Sequence, residues 1–215
     1  MFKLIQLTKW EFRVQNNINN LTKYLFAFFL FCTFSIVLIN QQTDIRKFGI
    51  VFSVICLPLS LISFSQLIFK QDLDDGSLEL LLSNYSSQEI IISKFLSVFS
   101  SAIISILFNI PIIFIIFDLS WTLLILLFIT LFLLLLLASG LVILIGAIQG
   151  YFRSNTNFLS ILIMPLLIPN IIMSGLVLQN AQYLSLVFVM IGINIIILPV
   201  VLYLSCYLVK NIFNV

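Results

Sequence analysis

The chain has 215 residues and a net charge of +2; 62% of its residues are hydrophobic and only 8% charged. Soluble domains average about 25% charged residues, so a water-soluble core is excluded and a single membrane domain over 1–215 is read instead. No basic patch with interleaved aromatics exists, which excludes nucleic acid as a partner, and with no histidine the commonest metal ligand, physiological-pH base and axial haem ligand are all missing.

Residues 1–20 read as an interfacial helix. Lys3, Gln6, Lys9 and Arg13 recur every three or four positions and share a face, while Leu4, Ile5, Leu7, Trp10, Phe12 and Val14 fill much of the rest. Such a helix suits a headgroup layer. Lys3, Lys9, Glu11, Arg13 and Lys23 interrupt any compact apolar stretch before Leu25, so no cleavable signal peptide is expected and the first span serves as the insertion signal.

A membrane helix needs about 20 mostly apolar residues. Six segments qualify, at about 23–40, 48–69, 95–117, 119–149, 158–178 and 183–209. The fourth is longer than a single span requires, so its end tilts or projects into water. The expected class is therefore an all-α integral membrane protein with six transmembrane helices.

Between the second and third spans lies a segment of a different kind, 70–94. Five of the eight carboxylates fall between Asp72 and Glu89. A charge in hydrocarbon costs several kcal/mol, so the segment is expected in water, as a contact surface. Gly76 permits a sharp turn. Ser77 then opens a short helix whose Leu78, Leu81 and Leu82 face an apolar surface, with Asp74 and Asp75 near its positive end. Asn84-Tyr85 breaks it. Ser86 and Glu89 form a capping box that starts the next helix near Lys94. The whole reads as a short cytoplasmic coupling elbow.

Farther along, Cys32, Cys56 and Cys206 sit singly in apolar runs and read as packing residues. All five prolines also lie in apolar runs. Pro165 and Pro169, four apart, fall on one face of the fifth helix and are candidates for a gating kink. Asn109, Gln149, Asn170 and Asn194 are the buried polar candidates, expected to bond between helices.

Lys and Arg placement sets orientation. With a cytoplasmic N-terminus, Lys3, Lys9, Arg13, Lys23, Lys70, Lys94, Arg153 and Lys210 lie inside, and only Arg46 and Lys47, beside Asp44, lie outside. Both termini and the elbow are then cytoplasmic. The heavy use of Phe, Ile, Leu, Asn and Lys with sparse Ala and Gly suggests an AT-rich genome, that of a reduced intracellular bacterium or an organelle. The expected location is a bacterial inner membrane, with a mitochondrial inner membrane as the alternative.

Catalytic signatures are missing. No Walker A motif or glycine-rich phosphate loop occurs. Asp72, Asp74, Asp75 and Glu79 could hold Mg²⁺, but Asp75-Gly76 is not followed by the Ala-Arg and later aspartates of phospho-alcohol transferases. No ionisable group lies near the middle of a span, which argues against ion-coupled transport. Directed work would then draw its energy from a partner, and the elbow is the docking element for it.

Three stretches carry a resemblance. They are Lys9-Trp10-Glu11-Phe12-Arg13-Val14; Asp72 through Leu82 with its Asp-Gly-Ser-Leu-Glu core; and Ser160 through Pro169 with its Pro-x-x-x-Pro segment. On these the chain resembles the haem exporter protein B family, the ABC-2 type permease component of cytochrome c maturation, over essentially its full length. Asn84-Tyr85 departs from the Ser-Pro or Leu-Pro turn common there. The resemblance implies a non-enzymatic subunit that couples ATP hydrolysis by a separate soluble ABC ATPase to movement in the membrane. It further implies a haem-handling membrane partner, a haem chaperone and a homodimer in membrane lipid, with haem handled by the complex and ATP bound by the ATPase. ATPase contact carries over to Asp72, Asp74, Asp75, Gly76, Ser77, Leu78 and Glu79. No haem contact is named, and either haem transport or release of the loaded chaperone fits. The alternatives are an ABC-2 permease for a lipid or polysaccharide, and a non-transporting assembly factor.

Overall fold

The computed structural model describes residues 2–39, 45–152, 163–179 and 185–212, and those residues are helical with short connections and no strand. Helix α1 is Phe2–Asn17, α2 Leu21–Ile39, α3 Ile45–Ser63, α4 Ser65–Asp74, α5 Ser77–Asn84, α6 Ser87–Phe117 and α7 Trp121–Phe152. A 3-10 turn, Met164–Leu167, leads into α8, Ile168–Gln179, and α9 is Ser185–Asn211. Asp44, Arg153, most of the linkers expected between spans and the start of the expected fifth span lie outside the described residues.

Among the described residues four stretches are long and apolar enough to cross a membrane: Gly49–Asp74, Ser87–Phe117, Trp121–Phe152 and Ser185–Asn211. The first and fifth expected spans correspond to shorter apolar helices within the described residues, Leu21–Ser35 and Met164–Gln179. An all-α membrane protein is therefore what the fold shows.

Helix α7 is the axis of the bundle. In its most apolar stretch 78% of residues are buried, against 17% in that of α9, so α7 is enclosed by protein while α9 lies at the rim. The other helices pack around it, with α3, α4, α6, α8 and α9 all in contact. Two glycines bring α4 unusually close. A Cβ on Gly146 would stand 2.9 Å from Phe69 and 3.1 Å from the Ser65 carbonyl oxygen, and one on Gly150 would stand 3.1 Å from Leu73. Their spacing of four puts both on one face, as in small-residue packing motifs of membrane helices.

Two buried amides join helices inside the bundle. Asn170 donates to Asn194 at 2.9 Å and Asn194 donates to the Leu133 carbonyl at 2.8 Å, joining α8, α9 and α7. Asn109 was expected to bond between helices. Instead its amide donates to the Ser105 carbonyl one turn back, at 2.9 Å, because α6 itself offers the nearest acceptor. Pro165 and Pro169 do not share a face of one helix. Pro165 sits in the 3-10 turn and Pro169 in the first turn of α8, where the missing N–H costs no helical hydrogen bond.

Candidate functional site

The site is built around the acidic segment. Helix α4 runs to Asp74, so Gln71 and Asp72 are helical rather than looped. The helix ends through Asp75 N–H donating to the Gln71 carbonyl at 2.9 Å and Gly76 N–H to that of Leu73 at 3.3 Å. Gly76 then takes φ +70°, with nothing within 4 Å of its missing Cβ. The left-handed backbone, not lack of room, therefore favours glycine there. Helix α5 follows, with Leu78 and Leu81 buried and Asp74, Asp75, Gly76, Glu79 and Leu80 exposed. Tyr85 is extended, and Ser86 starts α6 with a complete capping box: its N–H donates to Glu89 Oε2 at 3.0 Å, and Glu89 N–H donates to its Oγ at 3.3 Å. Turn, short helix, break and capped start thus follow the order read from the sequence.

Asp72 faces the other way. It is 5% exposed, and its carboxylate binds the ammonium of Lys94, itself 1% exposed. Ser77 Oγ donates to Asp72 Oδ1 at 3.1 Å, tying the first turn of α5 to the same group. The expectation that the whole acidic run faces water thus fails at Asp72, because a buried cation stands behind it. Lys94, expected at the membrane entry as an inward-side positive charge, is that cation.

The third member is Glu11, fully buried at 0% exposure, with its carboxylate 3.0 Å from Lys94 Nζ. Burial pushes the Glu11 carboxyl above the usual range; the Lys94 charge opposes this and the Asp72 charge adds to it. The Phe69 ring covers the ammonium, with its centroid at 5.3 Å. One cation and two carboxylates therefore link α1, α4 and α6 directly behind the elbow. Leu7, Leu81 and Ile90 form a small apolar cluster beside them, joining α1 and α5 to the start of α6.

Sequence reading passed over Glu11 as one charge in a mixed helix. On a helical wheel it lies between Leu7 and Gln15, both buried, and opposite Lys9 and Arg13. A lone acid in the middle of an apolar face was the available signal.

A family model described as CcmB protein matches residues 3–210. The chain belongs to the CcmB family. Membership implies a membrane permease subunit, not a catalytic one, of an ABC-type haem exporter in cytochrome c maturation, located in an inner membrane and served by an ATPase partner. Two relatives match across the full length of both chains: a protein of Rickettsia conorii, 54% identical over 215 residues, and one of Rickettsia prowazekii, 53% identical. Both are described as uncharacterized proteins. No solved structure matches.

Proposed function

We propose that this CcmB-family subunit receives its ATPase partner on the elbow and passes the movement inward through the Glu11–Lys94–Asp72 cluster. The observation that carries this reading is the two-sidedness of the segment. Asp74, Asp75, Glu79 and Leu80 stand exposed on one side; three residues away from Asp75, Asp72 is anchored to Lys94 and through it to Glu11. Leu80, at 68% exposure, in the same segment as exposed carboxylates gives contact area and orientation together. Gly76 and Ser77 set the angle of α5, and Leu78 keys it to the bundle.

In this reading six helices cross the inner membrane, with both termini and the elbow in the cytoplasm and two copies completing the permease. Pro165 and Pro169 mark where the chain stiffens from a 3-10 turn into α8, a natural hinge. The sequence has no histidine, which supports a role in driving release of a loaded chaperone within a larger complex at least as well as transport of haem itself. The test is co-purification of the ATPase with full-length permease in mild detergent. Asp75→Lys with Glu79→Lys should abolish recovery of the ATPase while membrane insertion is unchanged. Normal recovery would reject docking at the elbow.

A further inference from the structure

Beside the buried cluster, on a neighbouring face of α1, lies a groove of about 610 Å³ between α1 and α6. Its rim carries Lys9 and Arg13, and its floor includes Leu96, Phe99, Ser100 and Ile103 of α6. Both cations are exposed. Among the described residues no carboxylate lies within ion-pair distance of either, since Glu11 is turned inward onto Lys94.

The register of the two helices says at what depth the groove lies. Glu11 pairs with Lys94, 83 residues on, and Asn16 donates to Ser101, 85 residues on, at 3.0 Å. The offset is nearly constant, so α1 runs parallel to α6 and beside its first half. Lys9 is then level with Ile92, and Arg13 with Leu96. With 31 residues, α6 is about 46 Å long at 1.5 Å per residue, whereas the hydrocarbon core is about 30 Å thick. The far end of α6 meets Asp118 and the exposed Trp121, an interfacial pair, so the excess stands at the end beside α1. Lys9 and Arg13 therefore sit where α6 enters hydrocarbon. Leu96, Phe99 and Ile103, at spacings of three and four, continue as one apolar stripe below them. Phe99 is held in place by stacking on Phe95 at 6.0 Å and by an edge contact with Phe132 at 5.3 Å.

We propose that this groove binds one anionic phospholipid, with its phosphodiester on Lys9 and Arg13 and an acyl chain along Leu96, Phe99 and Ile103. A free phosphate would use only the rim, whereas a lipid uses the rim and the floor. A zwitterionic headgroup brings its own ammonium to two cations and gains less. Two basic side chains at a membrane surface are worth roughly tenfold to thirtyfold in preference for anionic lipid. Bound there, the lipid bridges α1 and α6 beside the Glu11–Lys94 contact that already joins them.

The experiment is native mass spectrometry of the full-length chain from mixed micelles of phosphatidylglycerol and phosphatidylcholine. The wild type should retain one phosphatidylglycerol in preference to phosphatidylcholine. Lys9→Gln with Arg13→Gln should lower that occupancy by roughly tenfold. Ile103→Trp, which fills the groove below the charges, should lower retention of both lipids. Lys23→Gln with Lys70→Gln removes the same charge from two exposed positions outside the groove and should change nothing. Added inorganic phosphate should leave the lipid in place. Wild-type retention by the Lys9/Arg13 variant, or equal loss in the Lys23/Lys70 control, would overturn the proposal. So would displacement of the lipid by phosphate.

Discussion

Lys94 decides more than any other side chain. It neutralises part of a buried pair of carboxylates, and without it Glu11 and Asp72, at 0% and 5% exposure, would face each other in a dry site. Breaking a buried ion pair by removing one partner costs about 3–5 kcal/mol, whereas replacing all members with apolar or neutral groups of like volume is often neutral. Lys94→Met should therefore destabilise the protein by about that amount, while Glu11→Gln, Asp72→Asn and Lys94→Met together should restore most of it. Thermal unfolding in detergent measures both. If the triple variant is no better than Lys94→Met alone, the cluster is not an electrostatic unit. Asn194 plays a smaller part of the same kind. Asn194→Leu strands the buried Asn170 amide and should cost about 1–3 kcal/mol, loosening α8 in hydrogen exchange first.

At the scale of elements, the helices begin and end for local reasons. The Ser86–Glu89 capping box satisfies two N–H groups at the start of α6, and Ser86→Ala should cost about 1 kcal/mol, read as faster amide exchange over 87–90. Close packing sets the approach of α4 to α7. Gly146→Leu puts a side chain where Phe69 and the Ser65 carbonyl already stand. The two helices must part, and Phe69 would leave the Lys94 ammonium. Overpacking of this kind costs about 1–3 kcal/mol or more, measurable as a lowered midpoint of thermal unfolding. Helix α1 was legible as amphipathic, yet its inward face carries an acid. Propensity and periodicity describe a face without saying what charge waits across from it.

For the whole molecule, the consequence is a bundle with a central α7 and a charged knot on the elbow side. Helices α1, α4, α5 and α6 meet there, and in the proposed coupling a push on α5 would reach the other helices through Asp72 and Lys94. The proposed topology makes a direct prediction. In a cysteine-free background, Asp75→Cys and Lys9→Cys should both react with a membrane-impermeant maleimide in inverted vesicles and neither in intact cells. Labelling from opposite sides would refute a common compartment for the elbow and α1.

Composition determined that the chain is a membrane protein, because no arrangement of 62% hydrophobic and 8% charged residues covers a soluble surface, and apolar runs of about 20 residues made the expected spans helical. Local signals also determined the turn at Gly76, the short helix after it and the cap at Ser86, since each depends on residues within four positions. The family, too, was legible in three short stretches. What tertiary structure decided was the sorting of the acidic segment into exposed Asp74, Asp75 and Glu79 and buried Asp72, together with the pairing of Glu11 to Lys94 across 83 residues. Those depend on which helices become neighbours. Burial and ion pairing are properties of that neighbourhood, and the order of residues along the chain does not state them.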